Sequence, residues 1–407
     1  MSNLKICINS VKNVSEARFD LPMDNGIYTF VGENGCGKST IMLCMAQIVS
    51  NQWGKLIAED VNADSSIAFA MDTKRCLWHR TNGKGWRKKG DVIHLNGMYE
   101  GSLFYGTRFT KSSLIDKLIV EHKINPEDIV EADDYVKDKM SYILHGDFTH
   151  YRTLKRIRNR HTAELFKIWN IPYFIEVNNH LVSQYRMSSG ECLLVSLLHF
   201  IYNSIERRSL PTDQTILVLI DELELALHPI AVLRLIDLLK ELVKEHSNLV
   251  VYLSSHSPEV IKTIPPRNIY KVENTDGKIE LISNCYPSYL IRDLYCNESP
   301  DFLLLVEDTL AQQVVNGVLT KNSLRNSKLV HVVPVGGWQN VIDLQRELYT
   351  KKILSSNTKI ISILDGDVLG KLTKEQKSYQ YCFFLLLVLR NFFTVSLLRR
   401  KILIFIR

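Results

Sequence analysis

The sequence predicts an α/β protein made of two successive units, in which buried parallel strands alternate with helices. Continuous apolar runs such as "TILVLIDE" (215–222) and "NLVVYLSS" (248–255) are typical of strands that are buried on both faces. An amphipathic pattern at 231–246 predicts a helix between these two strands. The same alternation restarts near residue 300, where "FLLLVED", "LVHVVPVGG" and "KIISILDGD" are predicted strands separated by helices.

Length and composition limit the protein classes that fit. A chain of 407 residues is expected to hold two or three domains, and 45% hydrophobic with 23% charged residues is typical of a soluble globular protein. The net charge of +6 permits nucleic-acid binding without requiring it. The eight cysteines form no C-x-x-C pair and the first twenty residues resemble no signal peptide, so we expect a cytoplasmic protein without a disulfide framework or membrane attachment.

The N-terminal part predicts a nucleotide-binding core with an insertion. Strands are predicted at 4–11 and 26–32, and a helix begins near Lys38. The next segment is polar and predicted to be irregular, and the charged stretch of about 105–185 is predicted to be a helical insertion. We predict a first domain at 1–296 and a second at 297–407.

The stretch "GENGCGKST" matches the phosphate-binding pattern G-x-x-x-x-G-K-[ST]. Its glycines let backbone N–H groups surround phosphates, while Lys38 reaches the β- and γ-phosphates and Ser39 offers a hydroxyl to Mg²⁺. ATP and Mg²⁺ are the predicted cofactors. The predicted nucleotide-binding residues of this loop are Gly32, Asn34, Gly35, Cys36, Gly37, Lys38, Ser39 and Thr40.

A pair of acidic residues at the end of "ILVLIDE" predicts the hydrolytic half of this site. Asp221 is expected to hold the Mg²⁺ shell, and Glu222 to polarise the attacking water. The alternative, an acidic cap after a strand, is weakened by the phosphate-binding loop on the same chain.

Two further motifs resemble those of ABC-type ATPases. The stretch "MSSGE" is similar to the signature L-S-G-G-Q/E, except that Ser189 replaces the first glycine. This resemblance implies that the signature contacts ATP held by the opposite subunit of a homodimer or higher homo-oligomer. It also implies that His256, in "SSHSPEV", is the catalytic switch histidine. The signature residues predicted to bind nucleotide are Ser188, Ser189, Gly190 and Glu191.

The stretch "DELELALHP" (221–229) is similar to the D-E-P-E-x-x-L-H-P sequence of RecF, SMC and OLD (overcoming lysogenization defect) ATPases, and differs from transporter ATPases. The resemblance implies that Glu224 and His228 lie in a loop that faces the partner subunit.

Three predicted strands of the second domain end in polar residues. Glu307, Gly336–Gly337 and then Asp365 with Asp367 follow strands whose carboxyl ends should share one edge of a small sheet. Carboxylates at neighbouring strand ends repel each other unless a divalent cation lies among them. Such an ion can stabilise the charge that develops when a phosphodiester breaks.

This ordered trio resembles a TOPRIM domain, the Mg²⁺-dependent module of topoisomerases, primases and OLD-family nucleases. The resemblance implies that Glu307 is the catalytic acid/base and a metal ligand, that Asp365 and Asp367 bind Mg²⁺ or Mn²⁺, and that an ATPase dimer controls DNA cleavage. An ABC-type ATPase followed by TOPRIM is the layout of OLD-family proteins, many of which act in antiphage defence, some with a partner subunit.

The second domain also departs from this family pattern. Asp308 and Ala311 stand where a glycine and a second carboxylate are common, and no Asp or Glu follows Glu375. The tail, 380–407, is atypical and is expected to reflect a frameshifted or truncated TOPRIM domain. It is not predicted to span a membrane, because Arg390 and Asn391 interrupt its apolar run.

Two basic stretches, 83–90 and 150–161, suit contact with DNA, or with an RNA-associated complex. Solvated surface charge is the alternative. Two rival functions also stay open: a non-cleaving RecF/SMC-like DNA-binding repair ATPase, and a regulatory ATPase subunit of a defence complex.

Overall fold

The computed structural model describes residues 3–50, 56–81, 85–101, 105–168, 170–178, 180–207, 214–295, 300–351, 353–354, 358–368, 371 and 381–384. The chain divides into two compact units, Met1–Ser283 and Asn284–Arg407. Helix Pro287–Tyr295 therefore belongs to the second unit, whereas the sequence-based boundary at 296/297 assigned it to the first domain.

Strands and helices alternate along much of the chain. The strands are β1 (Asn3–Val11), β2 (Val14–Pro22), β3 (Gly26–Val31), β4 (Val61–Met71), β5 (Lys74–Thr81), β6 (Gly85–Gly90), β7 (Asn96–Gly101), β8 (Ile129–Glu131), β9 (Lys155–Ile157), β10 (Tyr173–Val177), β11 (His180–Ser183), β12 (Ile216–Asp221), β13 (Leu249–Ser254), β14 (Ile269–Thr275), β15 (Lys278–Ile282), β16 (Phe302–Val306), β17 (Val330–Pro334), β18 (Lys359–Asp365) and β19 (Tyr381–Phe384). The helices are α1 (Lys38–Met45), α2 (Gln47–Ser50), α3 (Tyr105–Val120), α4 (Asp134–His145), α5 (Arg160–Leu165), α6 (Ser189–Phe200), α7 (Pro229–Glu245), α8 (Pro258–Thr263), α9 (Pro287–Tyr295), α10 (Thr309–Lys321) and α11 (Trp338–Thr350).

An eleven-stranded mixed sheet organises the first unit, in the order β6-β5-β4-β1-β2-β15-β14-β3-β13-β12-β7. The strands β14, β3, β13, β12 and β7 run parallel to one another. Every residue of β3, β12 and β13 is buried, as their uninterrupted apolar sequences predict. The carboxyl ends of these three neighbouring strands therefore meet at one edge of the sheet.

The other half of this sheet, β6-β5-β4-β1-β2, is antiparallel. The sequence prediction of an irregular segment before residue 105 is therefore wrong for residues 61–71, 74–81, 85–90 and 96–101. These strands were missed because one face meets solvent and carries many polar side chains. Three consecutive basic residues lie on the outermost strand β6, where charge also discourages pairing with another sheet: Arg87, Lys88 and Lys89.

The insertion contains helices α3, α4 and α5, but also a four-stranded antiparallel sheet in the order β11-β10-β9-β8. The predicted helical insertion therefore contains both helices and short strands. The strands have three to five residues, too few to display a clear alternation of apolar and polar positions.

The second unit is built on a parallel four-stranded sheet in the order β17-β16-β18-β19. Helix α10 connects β16 to β17, and α11 connects β17 to β18, which gives the strand–helix alternation expected from the sequence. Of the atypical tail, only 381–384 lies within the described residues. No helix in the described ranges has the length and apolarity needed to cross a bilayer.

Candidate functional site

The loop between β3 and α1 has the backbone geometry of a phosphate-binding loop. Gly35 and Gly37 adopt left-handed conformations, with φ of 78° and 109°, which side-chain-bearing residues rarely adopt. A Cβ on Gly32 would lie 2.5 Å from the carbonyl oxygen of Val272, so only glycine fits there. Asn34 is exposed on the same turn. The loop leads directly into the N-terminus of α1, which attracts anions.

Lys38 places its ammonium group inside this loop. Its Nζ donates hydrogen bonds to the carbonyl oxygens of Gly32 (3.0 Å) and Glu33 (2.9 Å), and lies 3.8 Å from Sγ of Cys36. Only 3% of the residue is exposed. A positive charge is thus held where the phosphates of a nucleotide would bind.

A side chain from the β1–β2 hairpin forms hydrogen bonds with the phosphate-binding loop. Asn13, in the turn between β1 and β2, donates through Nδ2 to the carbonyl oxygen of Gly35 and accepts a 3.3 Å bond from the Thr40 hydroxyl. Asn274 donates to the carbonyl oxygen of Asn13 at 3.3 Å. The sequence analysis missed Asn13, because nothing in a short hairpin turn indicates which distant loop it will contact.

Ser39 and Asp221 meet as the motifs predict. The Ser39 hydroxyl donates to Oδ1 of Asp221 at 3.2 Å, and the Ser254 hydroxyl donates to the same oxygen. Asp221 is fully buried. Burial raises the pKa of its carboxyl group, while the two serine hydroxyls and Lys38 counteract this shift.

The second carboxylate oxygen, Oδ2 of Asp221, is buried and accepts no hydrogen bond from the described residues. A buried oxygen without a partner is costly unless it binds an ion or water. Oδ2 of Asp221 and the Ser39 hydroxyl are hard oxygen ligands of the kind that Mg²⁺ prefers. These residues therefore fit the predicted metal.

Glu222 follows Asp221 in a strained backbone conformation, with φ 53° and ψ 53°. Its backbone N–H donates to Oγ of Ser254 at 2.9 Å. Ser254 therefore contacts both acidic residues from the neighbouring strand. The sequence analysis missed Ser254, although its position two residues before His256 at a strand end was a usable signal.

His256 follows β13 and is fixed by Glu224. Its backbone N–H donates to Oε1 of Glu224, while Ser255 donates through its hydroxyl to Oε2 at 3.0 Å. Burial and the nearby Lys38 lower the pKa of the His256 imidazole, so the ring is neutral at pH 7. The Glu224 carboxylate thus binds its own chain, while His228 is exposed just before α7.

The signature residues form the N-terminus of α6. Ser188 caps the helix through a hydrogen bond from the N–H of Glu191, and the Glu191 carboxylate accepts from the Ser188 N–H at 2.8 Å. Ser189 begins the helix. A Cβ on Gly190 would lie 2.7 Å from the carbonyl oxygen of Ala226, so glycine permits this close approach.

Tyr151, a residue of the insertion, also binds the signature. Its hydroxyl donates to Oε1 of Glu191 at 2.7 Å, and His145 Nε2 lies 3.3 Å from the same hydroxyl. Burial raises the pKa of Glu191, but the hydrogen bonds from Ser188 and Tyr151 outweigh burial and leave this pKa below its usual value. Glu191 therefore organises the signature turn, and its predicted contact with nucleotide stays a prediction.

In the second unit, three strand ends meet at Glu307. Its carboxylate accepts a 2.7 Å hydrogen bond from the N–H of Asp365, and its carbonyl oxygen accepts from Gly336 (2.8 Å) and Gly337 (3.1 Å). Asp308 caps α10 by accepting from the N–H of Ala311 at 2.7 Å. Asp367 lies in the turn Gly366–Val368, and its side chain is outside the described residues.

The two basic stretches differ in their charge pairing. In 150–161, Lys155 pairs with Glu176 at 2.8 Å and Arg156 with Asp133 at 3.1 Å. In 83–90, residues 85–90 form the edge strand β6 and residues 82–84 are outside the described ranges. Arg160 also pairs with Glu164 at 2.9 Å, so three of the five basic residues in 150–161 have acidic partners, which makes the edge strand the better candidate for phosphate contacts.

Comparisons with known proteins identify the ATPase part. A family model described as an AAA ATPase domain matches residues 95–261. The match includes Asp221, His256 and the signature, whereas the phosphate-binding loop precedes it. The chain thus carries an ATPase domain, which implies the use of a nucleotide with Mg²⁺. No curated protein matches the chain.

Solved structures of SMC heads and of RecF are also similar. An SMC head bound to the C-terminal winged helix of ScpA has 15% identity and a TM-score of 0.44, covering 69% of this chain and 97% of that one. The SMC head of Thermotoga maritima has 14% identity and a TM-score of 0.36, covering 70% and 99%. The recombination mediator protein RecF with ATP has 12% identity and a TM-score of 0.38, covering 69% and 98%. These values are too low to carry an argument about function.

Proposed function

We propose that this protein is an ATP-hydrolysing switch of the OLD kind. Two copies would close on ATP, with the phosphate-binding loop of one copy facing Ser188–Gly190 of the other. Closure would control a Mg²⁺-dependent TOPRIM-type endonuclease or nickase acting on DNA. A role in antiphage defence rests on the sequence resemblance alone.

Within the ATPase, each residue has a task that its contacts support. Lys38 lies in the loop and would neutralise the β- and γ-phosphates. Ser39 and Asp221 would hold Mg²⁺, which supplies charge neutralisation when it is bound. Glu222 would orient the attacking water, and the neutral imidazole of His256 would contact the γ-phosphate.

Exposed apolar residues beside the nucleotide site support pairing of two ATPase domains. Leu225 is 60% exposed and Ile230 is 50% exposed, on either side of His228. Ser188, at the signature, is exposed as well. In the proposed dimer, closure of the two copies would bury these exposed apolar side chains, which removes them from water.

The nuclease proposal rests on one observation, the junction at Glu307. Two chain segments distant in sequence, 336–337 and 365, donate backbone hydrogen bonds to this one residue. Acidic residues at adjoining carboxyl ends of parallel strands provide the oxygen ligands of a Mg²⁺ site. This arrangement supports metal-assisted phosphodiester cleavage better than a purely structural role.

Plasmid cleavage tests the proposal. Supercoiled DNA would be incubated with wild type, Lys38→Ala, Asp365→Ala/Asp367→Ala, and the control Asp343→Ala, whose carboxylate is exposed on α11. Mg²⁺ or Mn²⁺ would be present, with and without ATP. Wild type and the control should cut, the double aspartate variant should not, and Lys38→Ala should lose the response to ATP.

The rival function is a non-cleaving DNA-binding ATPase of the RecF/SMC kind. In this rival, the acidic cluster at the strand ends around Glu307 and Asp365 would be vestigial and would bind no catalytic metal. ATP hydrolysis by wild type without any cleavage would favour this rival. Cleavage that persists in the double aspartate variant would refute the proposed metal site.

A further inference from the structure

Three metal-binding side chains converge at the ends of two helices, away from both sites described above. Glu206 ends the π-helical segment Ile201–Glu206 that continues α6, Glu245 is the last residue of α7, and His246 follows it. One ligand atom from each lies within 4.8 Å of the other two. Nε2 of His246 is 3.7 Å from Oε1 of Glu206.

These separations suit a bound transition metal. Zinc binds histidine nitrogen and carboxylate oxygen at about 2.0–2.2 Å, so two ligands in a tetrahedral site lie about 3.4 Å apart. The observed 3.7 Å between His246 and Glu206 is close to this value. Small rotations of the two glutamate side chains would complete three bonds to one ion.

The charges around this cluster also favour a cation. Within the described ranges, no lysine or arginine forms an ion pair with Glu206 or Glu245. Both Glu245 and His246 lie at the C-terminal end of the 17-residue helix α7, where the helix dipole is negative. Two carboxylates at this position repel each other, and each is also repelled by the negative end of the helix dipole. A bound divalent cation would relieve both repulsions.

Two further features lie at or next to the cluster. π-Helical segments are rare and often occur at functional sites, and this one ends at Glu206. Tyr135 stacks on Tyr202 of the same segment, with ring centroids 5.5 Å apart. The Tyr135 hydroxyl is buried and has no hydrogen-bond partner among the described residues.

The acidic cluster also acts on Tyr135. Burial, followed by the charges of Glu206, Glu245 and Glu241, raises the pKa of the phenol. Glu206 and Glu245 thus act electrostatically on a phenol that stacks on the same π-helical segment.

We propose that Glu206, Glu245 and His246 form a binding site for a transition-metal dication such as Zn²⁺, with water completing the coordination. A histidine nitrogen with two carboxylates suits zinc better than Mg²⁺ or Ca²⁺, which prefer oxygen alone. The ion joins the far ends of α6 and α7. Helix α6 begins at the signature and α7 begins just after His228, so the metal holds the two helices that carry these motifs.

Metal binding by the nucleotide-free protein tests this site. The intact chain would be treated with a chelator, dialysed, and titrated with ZnCl₂ by calorimetry, with bound metal counted by mass spectrometry. The variants are Glu245→Gln and His246→Ala, and the control is Asp237→Asn, whose exposed carboxylate lies on the same helix. Circular dichroism of the metal-free proteins would verify that each variant is folded.

Wild type and Asp237→Asn should each bind one more zinc ion per chain than Glu245→Gln and His246→Ala. Loss of one ligand should weaken zinc affinity at least about tenfold, a value typical even of outer-shell changes. Zinc should also raise the melting temperature of wild type but not of the two variants. Equal zinc binding by wild type and both folded variants would overturn the proposal, as would no zinc binding by wild type.

Discussion

The hydroxyl of Tyr151 donates a 2.7 Å hydrogen bond to the carboxylate of Glu191, and so connects the insertion to the signature turn. Glu191 in turn holds the N–H of Ser188, the residue that caps α6. Tyr151 is therefore a positioning residue for the signature.

Replacing Tyr151 by Phe should loosen this turn while keeping the ring packed. The lost hydrogen bond to a charged group should cost about 1.5–3 kcal/mol of unfolding free energy, measured by denaturant titration. ATP hydrolysis should fall while ATP affinity stays unchanged, because in the proposed dimer the signature would act on nucleotide held by the other copy. Tyr142→Phe is the control, since Tyr142 is 40% exposed. Equal ATPase rates for both variants would contradict this role.

Gly190→Ala should disrupt the contact between α6 and the segment after Asp221. The added methyl group would lie 2.7 Å from the carbonyl oxygen of Ala226, a backbone atom that cannot move easily. Overpacking of this kind costs about 1–3 kcal/mol, which a thermal melt would reveal. Gly317→Ala in α10 meets nothing within 4 Å and should be neutral or slightly stabilising.

Ser254→Ala should slow ATP hydrolysis more than it weakens ATP binding. The hydroxyl contacts Oδ1 of Asp221 and the N–H of Glu222. Its loss removes a hydrogen bond from each acidic residue and none from the phosphate-binding loop. We expect kcat to fall about tenfold or more, because the loss of correct placement of the two acidic residues should raise the activation free energy by roughly 1.4 kcal/mol. Ser257→Ala, on the same segment, is the control. A selective loss of nucleotide affinity would refute this expectation.

Stability should depend on the protonation of His199 at acidic pH. Burial lowers the pKa of its imidazole from 6.5 to about 4, and its Nδ1 is 2.8 Å from the Tyr173 hydroxyl. Below pH 6.5 the unfolded chain binds a proton that the folded chain takes up only near pH 4, so stability is lost as pH falls through this window. The loss amounts to at most about 3 kcal/mol.

The variant His199→Gln cannot titrate and should show a flatter dependence of unfolding free energy on pH. Denaturant titrations at several pH values between 4 and 7 would measure both slopes. If the unfolding free energies of the two proteins changed in parallel with pH, His199 would be excluded as the source of the pH dependence.

DNA binding, if it uses the edge strand β6, should depend on Arg87 and Lys89. In the pairing with β5, these residues lie opposite His79 and Leu77, two positions apart and therefore on one face of the sheet. Arg87→Gln/Lys89→Gln should reduce the slope of log affinity against log salt by about 1 for each lost phosphate contact. Lys155→Gln should leave the slope unchanged, because Lys155 already pairs with Glu176. Fluorescence anisotropy with a labelled duplex would measure both.

Features that depend on contiguous residues could be predicted from the amino-acid sequence. The phosphate-binding loop, the acidic residues after β12 and the fully buried parallel strands are local patterns, because strand, turn and helix N-terminus follow directly along the chain. The partial match to an ATPase family, over residues 95–261, covers the acidic residues after β12 and agrees with the predicted ATPase. The TOPRIM assignment and the residue roles remain predictions.

The distant side chains that support these motifs become visible only in the folded chain. Asn13, Tyr151 and Ser254 reach their sites from other elements, and no spacing rule connects them to Gly35, Glu191 or Glu222. The short strands of the insertion form because their backbone groups pair across a sheet, although their own sequences are too short to specify it. Glu206 meets Glu245 and His246 for the same reason: α6 and α7 both pack against α4, and this long-range packing, not local sequence, determines their distance.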